Sequence, residues 1–128
     1  MRSTSWRRRC IPRDRLLLTE IVEAVERIIG LTDGRSLDDF ESDRDRRDAL
    51  LWNFTVLGEA VGQLSDATKD ARPGIAWMAP VRTRNRIVDG YWSIDLDVLV
   101  TTAADDLPGF ADGVRAVLAQ VSSDDGRP

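Results

Sequence analysis

The chain of 128 residues contains no histidine and a single cysteine, Cys10. One cysteine cannot form a disulfide bond within the chain, and without histidine the usual Cys and His spacings of zinc sites cannot be built. We therefore predict no bound metal and no other cofactor. The missing histidine also removes the side chain whose ordinary pKa lies nearest neutral pH, which is the commonest proton acceptor in catalysis.

Long hydrophobic runs are absent as well. No stretch approaches the ~20 apolar residues that a membrane-spanning helix needs, and no signal-peptide core precedes the first helical pattern. We therefore expect a cytoplasmic protein that does not bind membranes. Hydrophobic residues make up 42% of the chain, and a chain of this length can bury one core, so we predict one domain.

The net charge of −4 is unevenly distributed. The first 15 residues hold six arginines and one aspartate, a charge of +5, which leaves −9 on the remainder. These arginines could bind phosphates without sequence preference, although short polar termini are usually mobile. We predict a basic, disordered extension over residues 1–11, a folded domain over 12–121 and a disordered tail over 122–128.

Apolar residues recur at spacings of three and four, which is the pattern of amphipathic helices. We predict five helices, over residues 13–29, about 43–64, from Trp77 to Val88, 96–107 and 110–121. Gly58 and Gly62 in the second helix would let a neighbouring helix approach closely. Because no alternating β-pattern of useful length appears, we predict an all-α antiparallel bundle of four to five helices.

Other polar and aromatic residues have structural interpretations. Asp95 and Asp97 lie at the start of the fourth helix, where a carboxylate commonly caps the first turn. Glu59 is expected to point to solvent or to form an ion pair. Three tryptophans are predicted to lie in the core or at an interface: Trp52, Trp77 and Trp92.

The third helix leads into the run Arg84-Asn85-Arg86-Ile87-Val88-Asp89-Gly90-Tyr91. In an unbroken helix Arg84 and Asp89 would point about 140° apart. We therefore predict that the helix ends between them, and that a turn at Asp89-Gly90 folds Asp89 and Tyr91 back beside Arg84. A cation, a carboxylate and a phenol would then surround a pocket suited to a phosphodiester.

This run resembles the Arg-x4-His-x-Tyr motif of HepT-like toxins, members of the HEPN superfamily, with Asp89 at the histidine position. The segments 21–28, Leu57-Gly58-Glu59-Ala60 and 90–97 are also similar to that family and occur in the same order. The resemblance covers about residues 12–121. It implies a HEPN-like bundle, a homodimer whose two motifs lie near one shared cleft, and metal-independent cleavage of RNA.

The resemblance also implies roles for individual residues. Arg84 would clamp the phosphate, Tyr91 would orient the substrate and Asn85 would shape the pocket. Arg82 and Arg86 would bind RNA beside Arg84 in the same cleft. The implied partner is an MNT-type nucleotidyltransferase antitoxin. In many systems of the family such an antitoxin silences the toxin by attaching AMP to the motif tyrosine, which is Tyr91 in this chain.

Asp89 is expected to impair catalysis. An ordinary aspartate carboxyl has a pKa of about 3.9, so at neutral pH it is a weak base with no proton to donate. Its charge would also lie where a phosphate must bind, and a salt bridge to Arg84 would occupy the clamp. General acid–base catalysis is typically worth about 10²–10⁴ in rate, and we expect a loss on that order or greater.

Two alternatives remain open on the sequence alone. The first is a non-catalytic HEPN module that binds a nucleotidyltransferase antitoxin or RNA. The second is that Arg84 and Asp89 only cap the helix as an ion pair, in a helical domain that has no active site, because surface ion pairs are common and weak.

Overall fold

The computed structural model describes residues 2–91 and 93–125, with side chains for 13–91 and 93–121. These residues form seven helices and no strand: α1 (Arg2–Thr32), α2 (Leu37–Glu41), α3 (Arg44–Gln63), α4 (Asp66–Ala71), α5 (Met78–Asp89), α6 (Leu96–Asp105) and α7 (Leu107–Asp125). The predicted all-α bundle is confirmed, with five longer helices and the short α2 and α4 between them. No helix of the described part is both long and apolar enough to span a membrane.

Some helix bounds differ from those that the sequence pattern predicted. α1 begins at Arg2 rather than near Arg13 and continues through Pro12, although a proline inside a helix leaves one backbone carbonyl without its usual N–H partner. The side chains of the predicted extension, 1–11, lie outside the described residues. α7 begins at Leu107 rather than after Gly109, since Pro108 is tolerated in a first turn where its missing N–H needs no partner.

Short polar side chains start three of the helices. Asp43 accepts hydrogen bonds from the backbone N–H groups of Asp45 and Arg46 at the start of α3. Asp95 accepts from the backbone N–H of Asp97 at the start of α6, at 3.0 Å, which confirms the predicted cap. Ser65 caps α4, and these caps satisfy backbone donors that would otherwise lack a partner.

The core lies where α1 packs against α3 and α7, and α3 packs against α5. Its largest fully buried side chains include Phe40, Phe54, Leu18, Ile21, Ile28, Leu50, Leu51 and Leu57. α3 and α5 run antiparallel, because Gly62 lies beside Val81 while Asp48, nearer the start of α3, meets Tyr91 beyond the end of α5.

The tryptophans have different environments. Trp77 is buried, packs edge-on against Phe110 at 6.1 Å between ring centroids, and donates its indole N–H to the carbonyls of Lys69 and Arg72. Its predicted core position is confirmed. Trp52 is 66% exposed and therefore does not belong to the core of the chain. Trp92 lies outside the described residues.

Asp14 is a buried carboxylate that ties α1 to the start of α4. It accepts hydrogen bonds from the hydroxyls of Ser65, at 2.6 Å, and Thr68, and a longer one from the Ser65 N–H. We expect Asp14→Ala to lower the free energy of unfolding by about 2 kcal/mol, since two hydroxyls would lose a charged acceptor. Urea denaturation would measure this, with exposed Thr19→Ala as a control expected to change stability by less than about 0.5 kcal/mol. An equal effect of the two substitutions would contradict the structural role of Asp14.

Candidate functional site

A close approach of α3 and α5 positions the central arginine of the motif. A Cβ atom placed on Gly58 would lie 2.2 Å from the Cβ of Arg84 and 2.7 Å from the carbonyl oxygen of Pro80. Only hydrogen fits at this crossing. The predicted close approach at Gly58 is therefore confirmed, while Gly62 is less constrained, with its nearest neighbour, a methyl group of Val81, at 4.0 Å.

Arg84 is held by an ion pair with Glu59. Its Nη2 lies 2.5 Å from Oε1 of Glu59, and its Nη1 donates to Oδ1 of Asn85 at 3.0 Å. Its Nε is buried without a hydrogen-bond partner among the described residues, although a third of the side chain is exposed. The ion pair predicted as one possibility for Glu59 is confirmed. The guanidinium is therefore fixed in place, but with an anion already on one of its edges.

Asp89 does not lie beside Arg84. α5 continues through Asp89, one residue beyond the predicted end, because the N–H of Gly90 still donates to the carbonyl of Arg86 at 3.0 Å. Asp89 lies five positions after Arg84, which turns its side chain about 140° around the helix axis, and no ion pair joins these two described side chains. The predicted fold-back of Asp89 onto Arg84, and the alternative of an Arg84–Asp89 ion pair, are therefore wrong for the isolated chain.

The exposed side chain of Asp89 lines a groove at the end of α5. This groove has a volume of about 390 Å³ and includes Arg86, Ser93 and Asp95. Arg82, Arg86 and Asp89 follow each other at spacings of four and three, so they share one face of α5. The three arginines predicted to line one cleft are thus divided: Arg84 faces α3, while Arg82 and Arg86 are exposed on another side.

Tyr91 and Arg84 contact α3 at different positions along its axis. Its hydroxyl donates to Oδ1 of Asp48 at 2.7 Å, and the guanidinium of Arg47 lies 5.8 Å from its ring centroid and donates to its backbone carbonyl at 3.3 Å. Asp48 and Glu59 are eleven residues apart on α3, which is about 16 Å along the helix axis. Within one chain the structure therefore does not bring Arg84, Asp89 and Tyr91 into a single pocket.

The sequence-based prediction missed Asp48 and Arg47 as neighbours of Tyr91. An acidic residue near the start of a helix has an ordinary explanation in its favourable interaction with the positive end of the helix dipole. The contact of Asp48 with Tyr91 spans 43 residues of sequence and depends on how α3 and α5 are packed. The one available signal was that Arg44, Arg47 and Asp48 lie at spacings of three and four, on one face of α3.

The environment of Tyr91 changes its acidity. The hydrogen bond to Asp48, then partial burial and the Asp48 charge, raise the pKa of Tyr91 above its ordinary value of 10.0, against the opposing charges of Arg47 and Arg44. Folding therefore favours the neutral phenol. The stability that Tyr91 contributes is fully present below about pH 10 and is lost as the pH rises through the raised pKa.

Because Tyr91 is the only tyrosine in the chain, its titration can be followed directly by the ultraviolet absorbance of tyrosinate. We expect Asp48→Asn to lower the Tyr91 pKa, since both the charge and the strongest acceptor are removed. Asp45→Asn, on the same helical turn, is the matched control and should leave the pKa unchanged. An unaltered Tyr91 pKa in Asp48→Asn would show that the hydrogen bond is not formed in solution.

Metal ligands are not grouped anywhere in the described residues: no cluster of three or more Asp, Glu or Cys side chains is placed to hold an ion. The polar chemistry near α5 consists of arginines, carboxylates, an amide and a phenol. Such groups can bind a phosphate and orient a substrate. A side chain that titrates near neutral pH is not among them.

Comparisons with known proteins place the chain among ribonuclease-like sequences. Residues 21–117 match the sequence model of a family described as "Ribonuclease HepT-like". A probable ribonuclease HepT of Thermococcus cleftensis is 30% identical over 91 residues, which cover 71% of this chain and 83% of that protein. A candidate RNase of Methanocaldococcus jannaschii is 22% identical over 111 residues, covering 87% of this chain and 92% of that protein. No solved structure matches the chain significantly.

Proposed function

Because the chain belongs to the HepT-like ribonuclease family, we propose that it is the toxin component of a type II toxin–antitoxin pair. Its activity by descent is metal-independent cleavage of RNA in the cytoplasm, impaired here by Asp89. The observation that carries this proposal is the fixed guanidinium of Arg84, held at the Gly58 crossing with part of its side chain exposed. A positioned guanidinium can hold two oxygens of a phosphate at once.

The face around Arg84 is also suited to a second copy of the chain. Trp52 is 66% and Val88 is 56% exposed. Trp52 lies two turns from Glu59 on the same side of α3, and Val88 lies one turn from Arg84 on α5. Exposed large apolar side chains beside a functional residue support an interface, and tryptophan often dominates the binding energy of interfaces. A homodimer through this face would bring two copies of Arg84 to one cleft.

The proposed protein partner is an MNT-type nucleotidyltransferase antitoxin, with Tyr91 as the acceptor of AMP. Tyr91 is half-buried against α3, and its ring and hydroxyl are held by Arg47 and Asp48. A fixed phenol oxygen favours attack on a phosphorus centre because less orientational freedom is lost in the reaction. Modification would add a phosphate and a nucleotide close to the end of α5, where they would obstruct RNA.

The binding part of the proposal can be tested with a labelled single-stranded RNA of mixed sequence. We expect Arg84→Ala to weaken binding about tenfold or more, because a charge-assisted contact to phosphate is lost. Glu59→Gln should instead tighten binding several-fold, since the carboxylate that competes with phosphate for Arg84 is neutralised.

Arg115→Ala is the matched control for this binding experiment. Arg115 lies on α7 and pairs with Glu26 and Asp112. Because these exposed ion pairs contribute little energy and lie away from α5, the loss of Arg115 should leave RNA affinity within a factor of about two. An equal loss in Arg84→Ala and Arg115→Ala would mean that RNA binds by overall charge alone, and would contradict a site at Arg84.

A second candidate function is a non-catalytic module that binds RNA or the antitoxin. The separation of Asp89 from Arg84 favours it, because within one chain a clamp and a proton acceptor that point apart cannot act on one phosphodiester without rearrangement. RNA binding alone does not distinguish the two candidates. Cleavage by the Asp89→His variant does, since a pure binding module would stay inactive.

A further inference from the structure

Four side chains form a cluster at the junction of α3 and the turn after α5, which we call the tyrosine–carboxylate cluster: Arg44, Arg47, Asp48 and Tyr91. The Tyr91 hydroxyl donates to Oδ1 of Asp48 at 2.7 Å, while Oδ2 of Asp48 lies 4.0 Å from Nε of Arg44. Arg47 covers the tyrosine ring and binds its carbonyl. A phenol, a proton acceptor and two cations therefore meet in one place.

We propose that Asp48 accepts the Tyr91 proton when the phenol oxygen attacks a nucleotide phosphorus, and that Arg44 and Arg47 bind the phosphates of the nucleotide. This inference rests on the proposed function, in which Tyr91 is the acceptor. In the reaction with a nucleoside triphosphate, the bond from Tyr91 Oη to the α-phosphorus forms. The bond from that phosphorus to the bridging oxygen breaks, pyrophosphate leaves with the electron pair, and the phenolic proton passes to Asp48.

The cluster gives Tyr91 a proton acceptor, which an ordinary exposed tyrosine lacks. A neutral phenol is a poor nucleophile, and at neutral pH nearly all of Tyr91 is neutral. The hydrogen bond aims its proton at a carboxylate, so the proton can leave as the new bond forms rather than beforehand. General-base help of this kind is typically worth about 10²–10⁴ in rate. Arg44 and Arg47 would offset the negative charge of the approaching phosphates.

The isolated chain can be tested with adenosine 5′-phosphorimidazolide, an activated AMP that needs no partner enzyme. Attack by Tyr91 Oη forms the same O–P bond and displaces imidazole. Intact-mass spectrometry follows the addition of AMP, and peptide mapping locates it. We expect Tyr91 to react about 100-fold faster than N-acetyltyrosinamide, and Asp48→Asn to remove most of that advantage.

Two further readouts separate proton transfer from a structural role. The Asp48→Asn rate should rise about tenfold per pH unit toward the phenol pKa, because only phenolate then reacts, whereas the unaltered chain should depend weakly on pH near neutrality. Asp48→Glu should recover part of the rate, Asp45→Asn should match the unaltered chain, and Tyr91→Phe should take up no AMP at this site.

Equal rates and equal pH profiles for the unaltered chain and Asp48→Asn would overturn the role of Asp48, as would a Tyr91 no more reactive than N-acetyltyrosinamide. If Tyr91 reacts in an Asp48-dependent way with the phosphorimidazolide, but an MNT-type nucleotidyltransferase supplied with ATP leaves it unmodified, the proposed antitoxin partnership fails while the chemistry of the cluster stands.

Discussion

Replacing Gly58 with alanine is expected to lower the free energy of unfolding by about 3 kcal/mol, at the upper end of the usual cost of overpacking. The added Cβ would lie 2.2 Å from the Cβ of Arg84 and 2.7 Å from the Pro80 carbonyl. Neither atom is the far end of a flexible side chain, so α3 and α5 must move apart. The displacement would also separate Arg84 from Glu59, whose ion pair spans the same crossing.

Gly62→Ala is the matched control, because it makes the same substitution four residues later on α3. Its new Cβ would meet only a methyl group of Val81 at 4.0 Å, which is an ordinary contact. Since alanine is the better helix former, Gly62→Ala should raise stability by roughly 0.5–1 kcal/mol. Chemical denaturation of the three proteins measures both effects, and similar stabilities for the two variants would contradict the close packing of α3 and α5 at Gly58.

The second large effect is expected from Asp89→His. We expect this variant to arrest bacterial growth on induction, through a gain in RNA cleavage of about 10²–10⁴ over the unaltered chain. A histidine supplies a group that titrates near neutral pH, and it removes a negative charge from the end of α5. Because α5 ends at this residue, a partly cationic imidazole there would also interact favourably with the helix dipole.

The separation of residues 84 and 89 does not prevent this gain. The two positions are about 7.5 Å apart along the helix axis, and the side chain at 89 is exposed. Because the two positions also point about 140° apart within one chain, the gain depends on the proposed homodimer, in which the imidazole of one protomer would meet a phosphate held by the guanidinium of the other. Asp89→Asn is the matched control, because it removes the charge without adding a base; growth arrest by Asp89→Asn as strong as that by Asp89→His would contradict a proton-transfer role.

The sequence was sufficient to predict the bundle but not the direction in which Asp89 points. Periodic apolar residues determine which segments become helices, so the five long helices were predictable. The end of α5 was misplaced by one residue, and each helical residue turns the chain by about 100°. Asp89 and Gly90 are both acceptable at a helix end, so local preference could not decide between them.

The neighbours of the motif depended on tertiary packing. Gly58 was recognisable as a point of close approach, because a glycine within a helical pattern usually has a packing reason. Its partner at that point could not be deduced, since the register between α3 and α5 is fixed by the whole core. The same register brings Asp48 to Tyr91 and Glu59 to Arg84, and neither pair has a local sequence signature.

RNA cleavage by purified protein in the presence of a metal chelator tests most directly whether Asp89 impairs a ribonuclease site. The unaltered chain, Asp89→His, and Asp89→His combined with Arg84→Ala would be compared on the same RNA. We expect that only the single variant Asp89→His cleaves at a substantial rate. Cleavage by the unaltered chain at a similar rate would contradict impairment by Asp89, and cleavage by none of the three would contradict an RNA-cleaving site with Arg84 as its clamp.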